Sequence, residues 1–114
     1  MKAVGTRSIL KLLEGKEEAH KIEQELKKLE KKKQKVYVSN YTLLELAYIL
    51  EFNYGLERER IGKILRTILE DPLFKVEEEE VWKEALELYM KGEDLLMALK
   101  KAQYRNNGVE NELS

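Results

Sequence analysis

The sequence predicts an α/β domain in which helices outnumber strands and a short parallel sheet forms the centre. Residues 36–38 (VYV) have the β-branched and aromatic composition of a short buried strand. A helix with apolar residues at helical spacing follows this strand directly. Other strand-like segments are also separated by helices, and such alternation predicts parallel strands covered by helices.

The first third of the chain reads as a strand followed by two helices. Residues 2–5 form a short first strand, and Thr6 and Arg7 lie at the turn after it. A helix over 8–13 ends at Gly15. A second helix over 16–33 carries a thin apolar stripe formed by Ile22, Leu26 and Leu29.

The central segment, residues 36–56, passes from strand to helix. Ser39 and Asn40 are N-cap residues because their side-chain oxygens accept from the free N–H groups of a first helical turn. Glu45 lies one turn into this helix, near the carboxyl end of the strand, where ligands gather in open α/β sheets. Gly55 ends the helix, whose buried face comprises Leu43, Leu46, Ala47, Leu50 and Tyr54.

The second half continues with helices and two candidate strands. Residues 56–69 form a helix that Asp71-Pro72 breaks. Residues 74–76 are either a connecting turn or an edge strand. Helices over 77–91 and 94–104 follow, and Val109 begins a further strand after the turn signal Asn-Asn-Gly.

Composition limits the classes of function. The 114 residues predict one domain with one core, and 21 basic residues nearly balance 22 acidic ones. No cysteine is present, so disulfides and thiolate metal sites are excluded. No signal peptide or membrane span is recognisable, which predicts a cytoplasmic protein without membrane contact. The charged fraction of 38% hints at a thermophilic source.

Several conspicuous residues favour structural roles. The lysine-rich run 27–33 is interpreted as a solvated helix face, with a phosphate-binding edge as the alternative. The four glutamates at 77–80 favour the positive end of a helix dipole over a divalent-ion site. Met97 and Trp82 are predicted in the core, and His20 is predicted exposed. Packing or a subunit interface, rather than base stacking, is expected of four tyrosines: Tyr37, Tyr41, Tyr48 and Tyr54.

Four blocks in order resemble a PIN domain, the nuclease domain of VapC-type toxins in toxin–antitoxin pairs. They are MKAVGTRSIL, SNYTLLELAYILEFNYGL, VEEEEVWKEALELYMKGEDLLMALKKAQ and NNGVENELS. The resemblance implies a three-layer fold with a short parallel sheet flanked by helices. The chain ends about where the family's last strand leads to its final acid, so a C-terminally shortened domain is expected.

The resemblance also implies an acidic site for Mg²⁺ or Mn²⁺, which hard oxygen ligands hold. Glu45 matches the family's helix glutamate and Asp94 its late-helix aspartate, so both are candidate catalytic and metal-ligating residues. Thr6 stands where the first aspartate belongs and is followed by Arg7 and Ser8. Met97 occupies the position of a second late-helix aspartate, and its thioether binds hard ions poorly.

These departures predict weak or lost metal binding and a vestigial active site. One hypothesis gives Arg7 the place of the metal, with its guanidinium pairing Glu45 and Asp94. The alternative leaves Arg7 pointing to solvent. Glu45 likewise has two interpretations, as a vestigial site residue or as a carboxylate in a purely structural pair.

The expected function is that of a PIN-like pseudo-enzyme acting through protein or RNA binding. The protein partner would be a VapB-like antitoxin or a second copy in a homodimer. The alternative is an active VapC-type endoribonuclease that uses Mg²⁺ or Mn²⁺ with Glu45 and Asp94. An RNA-binding remnant would use Arg7 and the lysines of 27–35, and no cofactor is needed if activity is lost.

Overall fold

A computed structural model describes residues 1–113 and shows three strands and six helices in that range. The helix-rich α/β architecture predicted from the sequence is confirmed, and its strands are all short. In chain order the elements are β1 (Lys2–Ala3), α1 (Thr6–Glu14), α2 (Glu17–Lys31), β2 (Val36–Val38), α3 (Asn40–Phe52), α4 (Arg58–Glu70), β3 (Phe74–Val76), α5 (Glu79–Met90) and α6 (Leu95–Asn106).

The three strands form one parallel sheet in the order β1-β2-β3. Strand β2 is central because its backbone pairs on both sides, with Lys2 in register with Val36 on one side and Val36 with Phe74 on the other. Residues 74–76 therefore form a strand rather than a turn. All three strands run the same way, so their carboxyl ends meet at one edge, where the chain enters α1, α3 and α5.

Helix ends follow local backbone chemistry with small shifts from the predicted positions. Gly15 ends α1 in the left-handed region, with φ of 67°, as predicted. Thr6 and Arg7 already lie within α1, because Gly5 rather than a later residue takes the N-cap position. Helix α3 ends at Phe52, before Gly55, which leaves Tyr54 exposed instead of buried with the apolar face.

The core lies between the sheet and α3, α4 and α5. Its largest fully buried side chains include Trp82, Leu43, Leu46, Ile61 and Leu65, so the predicted burial of Trp82 is confirmed. Met97 is instead 49% exposed, and its predicted place in the core is wrong. It lies in the first turn of α6, where Leu95 and Ala98 face inward and Met97 points away from them.

The tail after α6 forms no strand within residues 107–113, so the strand expected from Val109 is absent from the described chain. The segment is held instead by the Val109 N–H, which donates to the Tyr104 carbonyl, and by an ion pair of 3.0 Å between Lys100 and Glu112. None of the helices in residues 1–113 has both the length and the hydrophobicity needed to cross a bilayer.

Candidate functional site

Polar side chains converge where the strands end. The Asn40 backbone N–H donates to Glu77 Oε1 at 2.9 Å, which ties the start of α3 to the residue after β3. The Asn40 side-chain amide donates to Glu78, and its oxygen accepts from Trp82 Nε1. Gln103 of α6 also donates to Glu78, at 3.2 Å. This Asn40 network joins α3, α5 and α6 at the carboxyl edge of the sheet.

The Asn40 network revises two predicted roles. Ser39 caps α3 by accepting from the Tyr41 N–H, as predicted, while Asn40 is used in tertiary contacts. Glu77 and Glu78 precede α5 and bind Asn40, so only Glu79 and Glu80 lie in the first turn where the dipole favours them. Glu77 also helps to raise the pKa of Tyr37, although burial is the larger cause.

Thr6 is the first residue of α1, just after β1, and is buried, at 7% exposure. Its hydroxyl donates to the Thr42 carbonyl over 3.4 Å, which links the first turn of α1 to α3. The neighbouring Ser8 is half-buried. Thr6 therefore directs its one polar group to the protein backbone, in a place where the resemblance calls for a metal-binding carboxylate.

Arg7 is exposed and forms no ion pair with Glu45 or Asp94 in the described part of the chain. The hypothesis that its guanidinium replaces a metal between the two acids is therefore wrong for this structure. The reason is its helical position. Thr6 and Ile9 occupy the buried face of α1, and Arg7 lies next to Thr6 on a different face.

Glu45 is exposed on α3 and has no hydrogen-bond or ion-pair partner among residues 1–113. It lies one helical turn after Tyr41 and one before Tyr48, on the side of α3 that the core leaves open. The alternative that Glu45 belongs to a structural ion pair is therefore not supported, because no partner for it lies among residues 1–113. Glu45 is instead a free surface carboxylate between aromatic side chains.

Asp94 is the N-cap of α6 and uses its side chain there. Its Oδ2 accepts from the Met97 N–H at 3.1 Å. Beside it, burial and then the charge of Asp94 raise the pKa of Tyr48. The carboxylate lines a small cavity of about 40 Å³ together with Tyr48, Glu51, Arg58 and Tyr89. Arg58 does not reach the acid, because its guanidinium stacks on Tyr89 and donates to the Tyr89 and Glu93 carbonyls.

An apolar groove of about 400 Å³ separates α3 from the start of α6, and we call it the α3/α6 groove. Its walls include Tyr41, Leu44, Leu96 and Met97. Tyr41 is 80% exposed, so packing within this chain does not explain it. Further along α3, Phe52 is 75% exposed and stacks on Tyr48 with the ring centroids 6.1 Å apart.

Comparison with known proteins decides the family. A VapC ribonuclease from Aquifex aeolicus (strain VF5) is 36% identical over 116 aligned positions, which cover the whole of this chain and 86% of that protein. The chain belongs to the VapC family. No protein-family model and no solved structure matched it.

The donor set of this VapC-family chain does not fit the acidic metal site that the resemblance implies. Among residues 1–113, no three His, Cys, Asp or Glu side chains lie close enough together to hold a metal ion. Thr6 and Asp94 already have protein partners, and Met97 offers a thioether. Hard divalent ions require several oxygen ligands at once, which these residues do not supply together.

Proposed function

We propose that this VapC-family chain is a PIN-like protein with strongly reduced or lost nuclease activity that acts by binding a protein partner. The proposal rests on the contacts made by the residues that stand at the family's metal-binding positions. Thr6 donates to the Thr42 carbonyl, Asp94 caps α6, and Glu45 remains as a free carboxylate. One free carboxylate gives little charge to fix a divalent ion or to activate a water.

The α3/α6 groove and the exposed rings of α3 supply the partner surface. Contiguous exposed apolar surface on a small protein marks an interaction site. The free carboxylate of Glu45 lies between Tyr41 and Tyr48 and favours a partner that adds a basic side chain to an apolar segment. An antitoxin-like segment has this chemistry. A second copy of the chain is the other partner that the proposal includes.

An active Mg²⁺- or Mn²⁺-dependent endoribonuclease is the second candidate. It is favoured by the relative, which is described as a VapC ribonuclease and aligns with the whole chain. In that case Glu45 and Asp94 would hold the ion, and the metal would supply a nucleophilic water and stabilise charge on the phosphodiester. Asp94 would have to give up or share its bond to the Met97 N–H.

Metal titration with an RNA-cleavage assay separates the two candidates. We expect no heat of binding at millimolar Mn²⁺ and no metal-dependent cleavage of a labelled RNA. Glu45→Gln should then alter neither the heat measured on adding Mn²⁺ nor the extent of RNA cleavage. The matched control is Glu25→Gln on the exposed face of α2. Cleavage that needs Mn²⁺, and that Glu45→Gln abolishes while Glu25→Gln does not, would establish the active enzyme and refute the pseudo-enzyme.

Light scattering across a range of protein concentrations tests the second copy as partner. Tyr41→Ser combined with Met97→Ser should shift the mass from two chains toward one. The control, Leu13→Ser, removes a similarly exposed apolar side chain from α1. A mass of one chain at every concentration would exclude the homodimer and leave the antitoxin-like segment as the partner of the α3/α6 groove.

A further inference from the structure

Six lysines cluster at the carboxyl end of α2 and in the loop that leads to β2. They are Lys27, Lys28, Lys31, Lys32, Lys33 and Lys35, and we call them the lysine cluster. All six are exposed, and Glu30 is the only acidic residue in the same stretch. In the described chain no carboxylate lies within 4.0 Å of any of their ammonium groups.

Lysines elsewhere are mostly neutralised by neighbours. Carboxylates lie within 4.0 Å of Lys11, Lys16, Lys63, Lys83, Lys100 and Lys101. The net charge of −1 therefore hides an uneven distribution. Six of the cations without an ion pair in residues 1–113 thus fall within nine consecutive positions, where together they create a local attractive potential for anions.

Lys33 adds a second, independent observation. Its φ is 56°, in the left-handed region, two residues after α2 ends, and the following Gln34 N–H donates to the Leu29 carbonyl. Glycine or asparagine normally fills such a position, because a larger side chain is strained there. The chain carries a charged residue at a site where glycine would be the more stable choice. Strain of this kind concentrates at functional positions.

The lysine cluster lies at the opposite edge of the sheet from Thr6 and the Asn40 network. Lys35 directly precedes β2, and Lys2, also exposed, is in register with Val36 at the same amino edge. No large exposed apolar side chain occurs within residues 27–35. A lipid surface or a protein interface would need such anchors, whereas a polyanion needs only the charges.

We propose that the lysine cluster binds the phosphate backbone of a nucleic acid. Lysine ammonium groups bind phosphates as point charges, and successive lysines along α2 offer several such charges on flexible stems. The cluster has no aromatic ring to stack on bases, so binding is independent of sequence and depends steeply on salt. This surface acts whether or not the carboxyl-edge site retains nuclease activity.

Fluorescence anisotropy with a labelled 20-nucleotide oligouridine tests the proposal, with oligothymidine and anionic phospholipid vesicles as parallel probes. We expect RNA and DNA to bind alike and log affinity to fall with log salt by roughly 0.7 per phosphate contact. Changing Lys28, Lys31, Lys32 and Lys33 to Gln should weaken binding at least about tenfold at low salt and flatten the slope by up to about 3.

The matched control removes the same charge from ion-paired lysines by changing Lys16, Lys63, Lys83 and Lys101 to Gln. This control variant should retain most of the oligonucleotide affinity and most of the slope of log affinity against log salt. Equal losses in both variants would show a mere net-charge effect and overturn the site. Absence of oligonucleotide binding at low salt would also overturn it, as would binding of the vesicles alone.

Lys33→Gly distinguishes a functional lysine from a merely structural one. The substitution relieves the left-handed strain, so the urea midpoint of unfolding should rise, while oligonucleotide affinity should fall. Lys33→Arg keeps the charge and should retain the affinity. A rise in stability with unchanged affinity in Lys33→Gly would remove Lys33 from the binding surface and contradict the argument drawn from its strain.

Discussion

Single residue types decide what the carboxyl edge of the sheet can do. An aspartate at position 6 would bring a second charge toward the site, whereas Thr6 brings a hydroxyl that one backbone carbonyl satisfies. Asp94 keeps its charge but uses it on the first turn of α6, where an acidic N-cap is favourable. The polar contacts at this edge join α1, α3, α5 and α6.

Asn40 is the residue on which this edge depends most. In Asn40→Ala, the indole N–H of fully buried Trp82 loses its acceptor and Glu78 loses a donor. We expect a loss of about 1–3 kcal/mol in the free energy of unfolding, measured by urea denaturation. Gln24→Ala removes an exposed side-chain hydrogen bond on α2 and serves as control, with a change below about 0.5 kcal/mol. Equal losses would contradict the role of the network.

At the scale of elements, close helix packing depends on one glycine. Gly62 of α4 faces Met90 of α5, and a Cβ at position 62 would lie 2.0 Å from Met90 Sδ. Non-bonded atoms do not approach that closely, so the Met90 side chain would have to move if position 62 carried a Cβ. Met90 therefore crowds position 62 in the middle of α4, where glycine lowers helix stability by about 1 kcal/mol relative to alanine.

A double-mutant cycle tests this α4–α5 contact. Gly62→Ala alone should lower the free energy of unfolding, because overpacking costs about 1–3 kcal/mol against a helix gain of about 1 kcal/mol. In a Met90→Ala background the same change should raise stability by about 1 kcal/mol. The measurement is urea unfolding of all four proteins. If the two substitutions have additive effects on the free energy of unfolding, Met90 moves aside freely and packing against it does not require a glycine at position 62.

At the scale of the whole molecule, charge and apolar surface are segregated. The lysine cluster lies at the amino edge of the sheet, and the Asn40 network with its glutamates lies at the carboxyl edge. The exposed rings and the α3/α6 groove form a third surface. A nearly neutral chain therefore carries a basic surface that is separate from its exposed apolar surface.

Alkaline pH should destabilise the molecule as a whole. Burial is the main cause that raises the pKa of Tyr37, Tyr48 and Tyr89 above the usual value of about 10. The folded chain therefore holds these protons more tightly than the unfolded chain. Their contribution to stability is complete below about pH 10 and is lost as pH rises through the folded pKa values.

Urea midpoints measured from pH 8 to pH 11 check this expectation. A single cooperative transition that shifts to lower urea above about pH 10 is the expected result. Tyr48→Phe should make the decline less steep, since it removes one of the three titrating phenols. Two separate transitions would contradict the proposal that residues 1–114 form one domain, and an unchanged slope in Tyr48→Phe would contradict the raised pKa of its phenol.

Local signals predicted much of this fold. The VYV triplet forms β2, Ser39 caps α3, and Gly15 ends α1, because each depends on the residue's own backbone preference or on neighbours in sequence. Four ordered blocks also indicated the VapC family before any geometry was known, and the relative confirmed it. Glu45 was a candidate from its position after the VYV strand as well as from the resemblance, and Asp94 from the resemblance alone. Their roles in metal binding stay a prediction.

Contacts between distant parts of the chain were decided only by the tertiary structure. Phe74–Val76 is a strand because β2 lies beside it, which three residues alone cannot reveal. Glu77 and Glu78 bind Asn40, 37 and 38 positions away, instead of serving only a helix dipole. Met97 and Tyr41 are exposed because residues 1–113 place nothing over them. Sequence determines local conformation and composition, whereas exposure and pairing depend on which distant surfaces the fold brings together.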